Sequence, residues 1–221
     1  MSPLPECVDA IVFDCDGLLL DTETCWSRAE AKLFARYGFP FGAQEKNLLI
    51  GRTLEAAGAN MAEYFGIRGQ GPRLVGELIP LVREELSAGV QPMPGAVDLL
   101  AALAGRIPLG IATNSPRDML EAALGATDLS GYFAVSVAAD EVLNPKPHPE
   151  LYLTAFDRLG VRAADGMALE DSSTGVAAAR GAGTYVVTVP SQPGKALDGD
   201  FVTDTLADPV LQAWANTVRA G

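Results

Sequence analysis

Two aspartates two residues apart, Asp14 and Asp16, end an apolar run from Val8 to Phe13 that only Asp9 interrupts, and Gly17 follows them. Successive residues of a strand point to opposite faces, so Asp14 and Asp16 are expected to project the same way and Cys15 the other. Two carboxylates that close repel each other and cost stability unless a cation neutralises them or a reaction uses them. One reading is an acidic strand end with Asp16-Gly17 as turn residues. That reading gives Asp14 no task directly after an apolar run. The other reading is a nucleophilic aspartate beside an acid/base aspartate, the pair sharing a divalent cation.

Three further stretches offer matching chemistry. Thr113-Asn114-Ser115-Pro116 follows an apolar run; Ser115 suits an N-cap and Pro116 a first helical position. A turn of that kind aims a hydroxyl and backbone N–H groups at one point, a natural phosphate site. Lys146 stands between Pro145 and Pro147, which hold its backbone extended. A lysine fixed there would compensate acids and a bound phosphate. Glu170-Asp171 makes a second acidic pair, with Asp171 also suited to cap a helix from Ser172. Two charges 4 Å apart at an effective dielectric of about 20 interact by about 4 kcal/mol, so two acidic pairs on one point call for a cation. All-oxygen donors favour a hard divalent ion, in practice Mg2+. His148, the only histidine, precedes Pro149 at a helix start and reads as a surface or capping residue. Cys15 reads as core.

The elements that must position these residues follow from periodicity. From residue 95 onward, helical stretches near 95–104, 116–124, 149–159 and 173–180 alternate with apolar runs at 108–112, 133–138, 166–169 and 184–189; Phe201-Val202 adds an edge strand and 206–217 a last helix. This alternation predicts an α/β fold: a Rossmann-like parallel sheet flanked by helices, joined by the first strand at 8–13. Ligands in such sheets bind beyond the carboxyl ends of the strands, which is where all the stretches above fall. Residues 22–38, 43–49, 53–65 and 72–87 read as helices with no alternating strand among them. The expected division is a catalytic core of 1–17 and 92–221 and a small all-helical cap of 18–91, inserted after the first strand. Connectors at 17–22 and 88–95 would act as hinges. The stretch 190–200, with Pro190, Pro193, Gly194 and Gly199, reads as a loop.

Composition narrows the partners. A net charge of −12 disfavours nucleic acid and anionic membrane surfaces. Three cysteines within the first 25 residues and one histidine leave neither a disulfide framework nor a zinc site. The first residues lack the charged and apolar regions of a signal peptide, and no apolar run reaches membrane-spanning length. The expectation is a soluble, cytoplasmic monomer.

Taken together, Asp14-x-Asp16-Gly17, Thr113-Asn114, Lys146-Pro147 and Glu170-Asp171 resemble the four motifs of the haloacid dehalogenase-like hydrolase superfamily. Asp21-Thr22-Glu23 and Gly51-Arg52-Thr53 resemble the branch of β-phosphoglucomutase and the small sugar-phosphate phosphatases. The resemblance implies that Asp14 attacks phosphorus to form an aspartyl-phosphate and that Asp16 is the acid and then the base. It implies Mg2+ held by Asp14, the Asp16 backbone carbonyl and Asp171, with Glu170 orienting its waters, and phosphoryl oxygens bound by Thr113, Asn114 and Lys146. Substrate choice would fall to cap residues Glu23, Trp26, Gly51 and Arg52, although Trp26 suits plain cap packing and Arg52 a solvated loop equally well. The mutases of this branch carry a histidine where this chain has Trp26, which favours a phosphatase. True dehalogenases lack the second aspartate. The expected activity is Mg2+-dependent hydrolysis of a small phosphorylated metabolite, a sugar or polyol phosphate. Its rivals are a β-phosphoglucomutase-type mutase and a non-catalytic sugar-phosphate-binding protein.

Overall fold

The computed structural model describes residues 3–50, 52–191 and 196–221. Gly51, named above as a cap residue, and part of the 190–200 loop lie outside them. The described chain divides into two compact units, Met1–Asp21 with Gln91–Gly221, and Thr22–Val90.

The first unit is built on six parallel strands: β1 (Ile11–Phe13), β2 (Leu109–Ala112), β3 (Val135–Val137), β4 (Met167–Glu170), β5 (Tyr185–Thr188) and β6 (Phe201–Val202). Their order is β3-β2-β1-β4-β5-β6. Ile11 is level with Leu109 on one side and Met167 on the other, so the ends of β1, β2 and β4 come out side by side. The order reverses at β1, and this switch point is where an open α/β sheet forms its ligand crevice. Ile11, Val12 and Phe13 are fully buried, as a central strand covered on both faces requires. The apolar run shortens to 11–13 because Val8 and Asp9 pair outside the sheet, with the main chain of Arg219 and Asp165.

The strands alternate with α5 (Ala96–Leu103), α6 (Arg117–Gly125), α7 (Glu150–Leu159), α8 (Ser173–Ala182) and α9 (Pro209–Ala215). One layer of the core joins Val12, Ala112 and Ala168 of the sheet to Leu151, Tyr152, Ala155 and Phe156 of α7 and Val176 and Ala179 of α8. Ser172 caps α8, accepting from the Gly175 N–H at 3.1 Å, and Asp208 caps α9, accepting from Val210 and Leu211. Residues 18–21 stay with this unit. Leu18, Leu19 and Leu20 are buried, the Leu19 carbonyl accepts from Met93 N–H, and Asp21 N–H donates to Gln91.

The second unit holds α1 (Thr22–Arg36), α2 (Ala43–Lys46), α3 (Leu54–Tyr64) and α4 (Gly71–Ala88), with no strand among its described residues. Phe34 packs edge-on against Phe41 and Phe65, and Tyr37 and Phe39 stack on Phe65. Buried Glu85 on α4 accepts from Arg28 and pairs with Lys32 of α1; these two cations hold its carboxyl below the usual range. Gly58 and Gly71 let α3 and α4 touch through their backbones, since a Cβ on Gly58 would lie 2.7 Å from the Gly71 carbonyl.

Candidate active site

Beyond β1, Asp14 is buried, and its Oδ1 accepts from Lys146 Nζ at 2.5 Å. The same ammonium donates to Glu170 Oε1 at 2.6 Å, the last residue of β4. Asp171 follows, and one carboxylate oxygen from each of Asp14, Glu170 and Asp171 falls within 4.8 Å of the others. Three buried carboxylates thus face one buried ammonium.

The titration behaviour reflects that imbalance. Burial pushes the Asp14 carboxyl well up; Lys146 pulls it back, and Glu170, Asp171 and Asp16 push it further. Burial likewise raises Asp171 to about 6, against a hydrogen bond from Ser191. Burial opposes the charge on Lys146, but Asp14 and Glu170 together outweigh it and lift the ammonium above the ordinary lysine value.

Asp16 is half-buried, and its carboxylate serves a different set of partners. Its Oδ2 accepts from the hydroxyls of Thr113 and Ser115, both at 2.8 Å. This changes the reading of the Thr113–Pro116 turn. Ser115 is not the N-cap: α6 starts at Arg117 after an extended Pro116, and Asp140 accepts the Arg117 N–H at 2.9 Å. Ser115 instead fixes Asp16, and its own N–H donates to Thr113 Oγ1 at 3.0 Å. Asn114 clasps the backbone of Lys146, accepting its N–H at 2.9 Å and donating to its carbonyl at 3.2 Å. These two bonds set where Lys146 stands.

Glu170 is fully buried and saturated. Oε1 accepts from Lys146 and from the Tyr152 hydroxyl at 2.7 Å; Oε2 accepts from Asp171 N–H, Ser172 N–H and Ser172 Oγ. Gly175 makes room for it, since a Cβ there would lie 1.8 Å from Oε1. Gly17, at φ +83°, does the same for Asp171, where a Cβ would lie 2.6 Å from Oδ2. Burial, then the Glu170 charge, push the Tyr152 phenol well above its ordinary value, so it remains a donor. From the sequence, Ser115 and Gly17 read only as turn residues, and nothing marks Tyr152 or Gly175.

Gly175→Ala is therefore expected to displace Glu170, whose five hydrogen bonds leave it no second position. Activity should fall by about ten-fold or more, the scale for disturbing a group that supports a site. Steady-state kinetics beside a thermal melt separate this from loss of fold.

His148 is exposed, and its Nδ1 accepts the Glu150 N–H at 3.3 Å, a capping role at the start of α7. In the helical unit, Lys46 pairs with Glu23 at 2.5 Å and with Glu30 at 2.6 Å; Trp26 is half-buried and Arg52 exposed. Thr53 caps α3 by accepting from Ala56 N–H.

The donor set suits a hard cation. Three carboxylates against one ammonium leave negative charge to be met, and oxygen is the donor atom throughout.

A six-stranded parallel sheet with an acidic, lysine-bearing cluster at its switch point defines a Rossmann-like α/β protein with a buried candidate active site. A family model described as haloacid dehalogenase-like hydrolase matches residues 11–189. Among relatives, the bifunctional riboflavin kinase/FMN phosphatase of Arabidopsis thaliana is 30% identical over 92% of this chain. The match spans 55% of that protein's length, about half. Fructose-1-phosphate phosphatase YqaB of Escherichia coli K12 is 32% identical over 81% of this chain and 95% of its own. The crystal structure of CbbY from Rhodobacter sphaeroides in complex with phosphate is 28% identical, with a TM-score of 0.74 over 91% of this chain and 96% of that one. The chain belongs to the haloacid dehalogenase-like hydrolase family, in the branch of β-phosphoglucomutase and the small sugar-phosphate phosphatases, and is a phosphatase. No helix among the described residues is long and apolar enough to cross a membrane.

Proposed function

We propose that the protein is a Mg2+-dependent phosphatase that hydrolyses a small sugar or polyol phosphate through an aspartyl-phosphate on Asp14. The observation that carries this is the buried convergence of Asp14, Glu170 and Asp171 on one lysine beyond β1 and β4. Such a cluster is costly to keep without a reaction that needs it.

A carboxylate oxygen of Asp14 attacks phosphorus as the ester P–O bond breaks, and Asp16 gives its proton to the departing alkoxide. Asp16 then takes a proton from water, whose oxygen attacks phosphorus and frees Asp14 and inorganic phosphate. Thr113 and Ser115 hold Asp16 in line for both transfers. Lys146 stabilises charge on the transferring oxygens. Asn114 positions Lys146 through its backbone, and Glu170 does so through its side chain. Asp14, Asp171 and the Asp16 backbone carbonyl would hold Mg2+ beside Glu170. Bound there, the ion supplies the Lewis-acid charge that lets a phosphate dianion approach a carboxylate. Trp26, where mutases of this branch carry histidine, favours release of phosphate to water. YqaB, named for fructose-1-phosphate, supports a sugar phosphate as substrate.

A panel of sugar and polyol phosphates, assayed for free phosphate with and without chelator, tests this. Release that stops with chelator and returns with Mg2+ is expected. Isomerised sugar phosphate without free phosphate would select a mutase instead.

Mg2+ should also stabilise the protein in a pH-dependent way. Without metal, the raised Asp171 binds its proton in the folded state between about pH 4 and 6. Its contribution to stability therefore falls as pH rises through that window, and its charge is unmet above it. Mg2+ binds the deprotonated form, so it should raise the melting temperature more at pH 7.5 than at pH 5.5. An equal rise at both values would contradict the reading.

A further inference from the structure

Tyr152 lies on α7, fully buried in the layer that joins this helix to the sheet. A tyrosine at an inward position of an amphipathic helix needs no explanation beyond packing. Its polar end does, because a buried hydroxyl must find a partner, and this one finds a carboxylate rather than a backbone carbonyl. The hydroxyl donates to Glu170 Oε1 at 2.7 Å, the same oxygen that receives Lys146 Nζ at 2.6 Å. The ring does a second thing. Lys146 Nζ lies 4.9 Å from the ring centroid, within the range at which an aromatic face attracts a cation. One side chain thus touches both members of the ion pair that faces Asp14, by two different interactions.

The other half of Glu170 is held locally: Oε2 is taken by Asp171 N–H, Ser172 N–H and Ser172 Oγ. Tyr152 is what loads Oε1 besides the lysine. A carboxylate oxygen that already accepts a strong donor competes less for an ammonium. From this geometry we infer that Tyr152 is a positioning residue for phosphoryl transfer: its hydroxyl restrains Glu170 and its ring supports Lys146, so that Nζ stays on Asp14 and within reach of the phosphoryl group. This role rests on the phosphatase reading above for its kinetic consequence, but not for its structural one.

Tyr152→Phe keeps the ring and removes the hydroxyl; Tyr152→Leu removes both. With an aryl phosphate as substrate and Mg2+ present, Tyr152→Phe should lower kcat/KM about ten-fold and weaken competitive inhibition by inorganic phosphate, with an unchanged melting temperature within a few degrees. Tyr152→Leu should lose more, and if it fails to fold the phenylalanine variant alone decides. The same hydroxyl deletion made on Glu170→Gln should cost little further, because its effect runs through Glu170. Full additivity of the two losses, or unchanged kcat/KM and phosphate inhibition in Tyr152→Phe, would overturn the inference. If the unsubstituted protein hydrolyses no phosphate ester, the phosphatase reading fails separately. Crystals of Tyr152→Phe then decide the role: Nζ displaced from Asp14 Oδ1 supports it, and Nζ in place overturns it.

Discussion

Asp14→Asn is expected to abolish turnover, with kcat falling by at least about 10^4-fold, the scale seen when a nucleophile is removed. An amide oxygen is too poor a nucleophile to open a phosphate ester, and it carries no charge to pair with Lys146. The carboxamide is nearly isosteric, so the fold should survive. Removing one of three buried carboxylates also relieves repulsion, so the metal-free variant should melt no lower than the parent protein. Steady-state kinetics and a thermal melt on one preparation check both halves. Retention of more than about a hundredth of the activity would mean that Asp14 is not the attacking group.

Lys146→Met should be the most damaging substitution for the metal-free protein. It leaves Asp14, Glu170 and Asp171 buried with no cation among their side-chain contacts in the described residues. Breaking a buried ion pair by removing one partner costs on the order of 3–5 kcal/mol. The sign with pH follows from the carboxyls. Without the ammonium the already raised values of Asp14 and Asp171 rise further, so the folded variant binds protons that the unfolded chain releases. Stability is then lost as pH rises through the folded values and regained as pH falls. Urea unfolding at pH 7.5 and 5.5 should show the deficit shrinking at the lower pH, whereas a loss of packing alone would be the same at both. Activity should fall by about 10^2 to 10^3-fold at saturating Mg2+, the scale for one donor aimed at developing charge.

How much of the site can be read from the chain depends on whether a residue breaks its local pattern. Asp14 does so, standing straight after Ile11-Val12-Phe13, and Glu170 does so at the end of Met167-Ala168-Leu169. A charge at the inner end of a fully buried strand has no structural purpose, and that conflict is the signal. Lys146 is flagged by its two prolines. Tyr152 breaks nothing: in Glu150–Leu159 it occupies an apolar position of an amphipathic helix, and only the packing of α7 on the sheet reveals its hydroxyl's partner. Ser115 misleads for a related reason. Local chemistry suits Ser115 to a cap, but Asp140, 25 residues on, takes the helix N-terminus and leaves Ser115 to Asp16. Gly175 needs a side chain from the preceding strand to explain it. The strands themselves are legible within a residue or two, except β1, which forms a shorter ladder than its apolar run suggests. Val8 and Asp9 give their N–H groups to the Arg219 and Asp165 carbonyls, outside the first ladder.

In the proposed reaction Asp14 and Asp171 share an ion while Asp14 takes up the phosphoryl group. A crystal of the unsubstituted protein grown with Mg2+ and trifluoroberyllate, which mimics a phosphoryl group on a carboxylate, addresses both at once. Beryllium is expected to be joined to a carboxylate oxygen of Asp14, with one Mg2+ touching both Asp14 and Asp171 and Lys146 Nζ against the fluorides. Trifluoroberyllate bound away from Asp14, or Mg2+ absent from Asp171 at saturating concentration, would contradict this reaction.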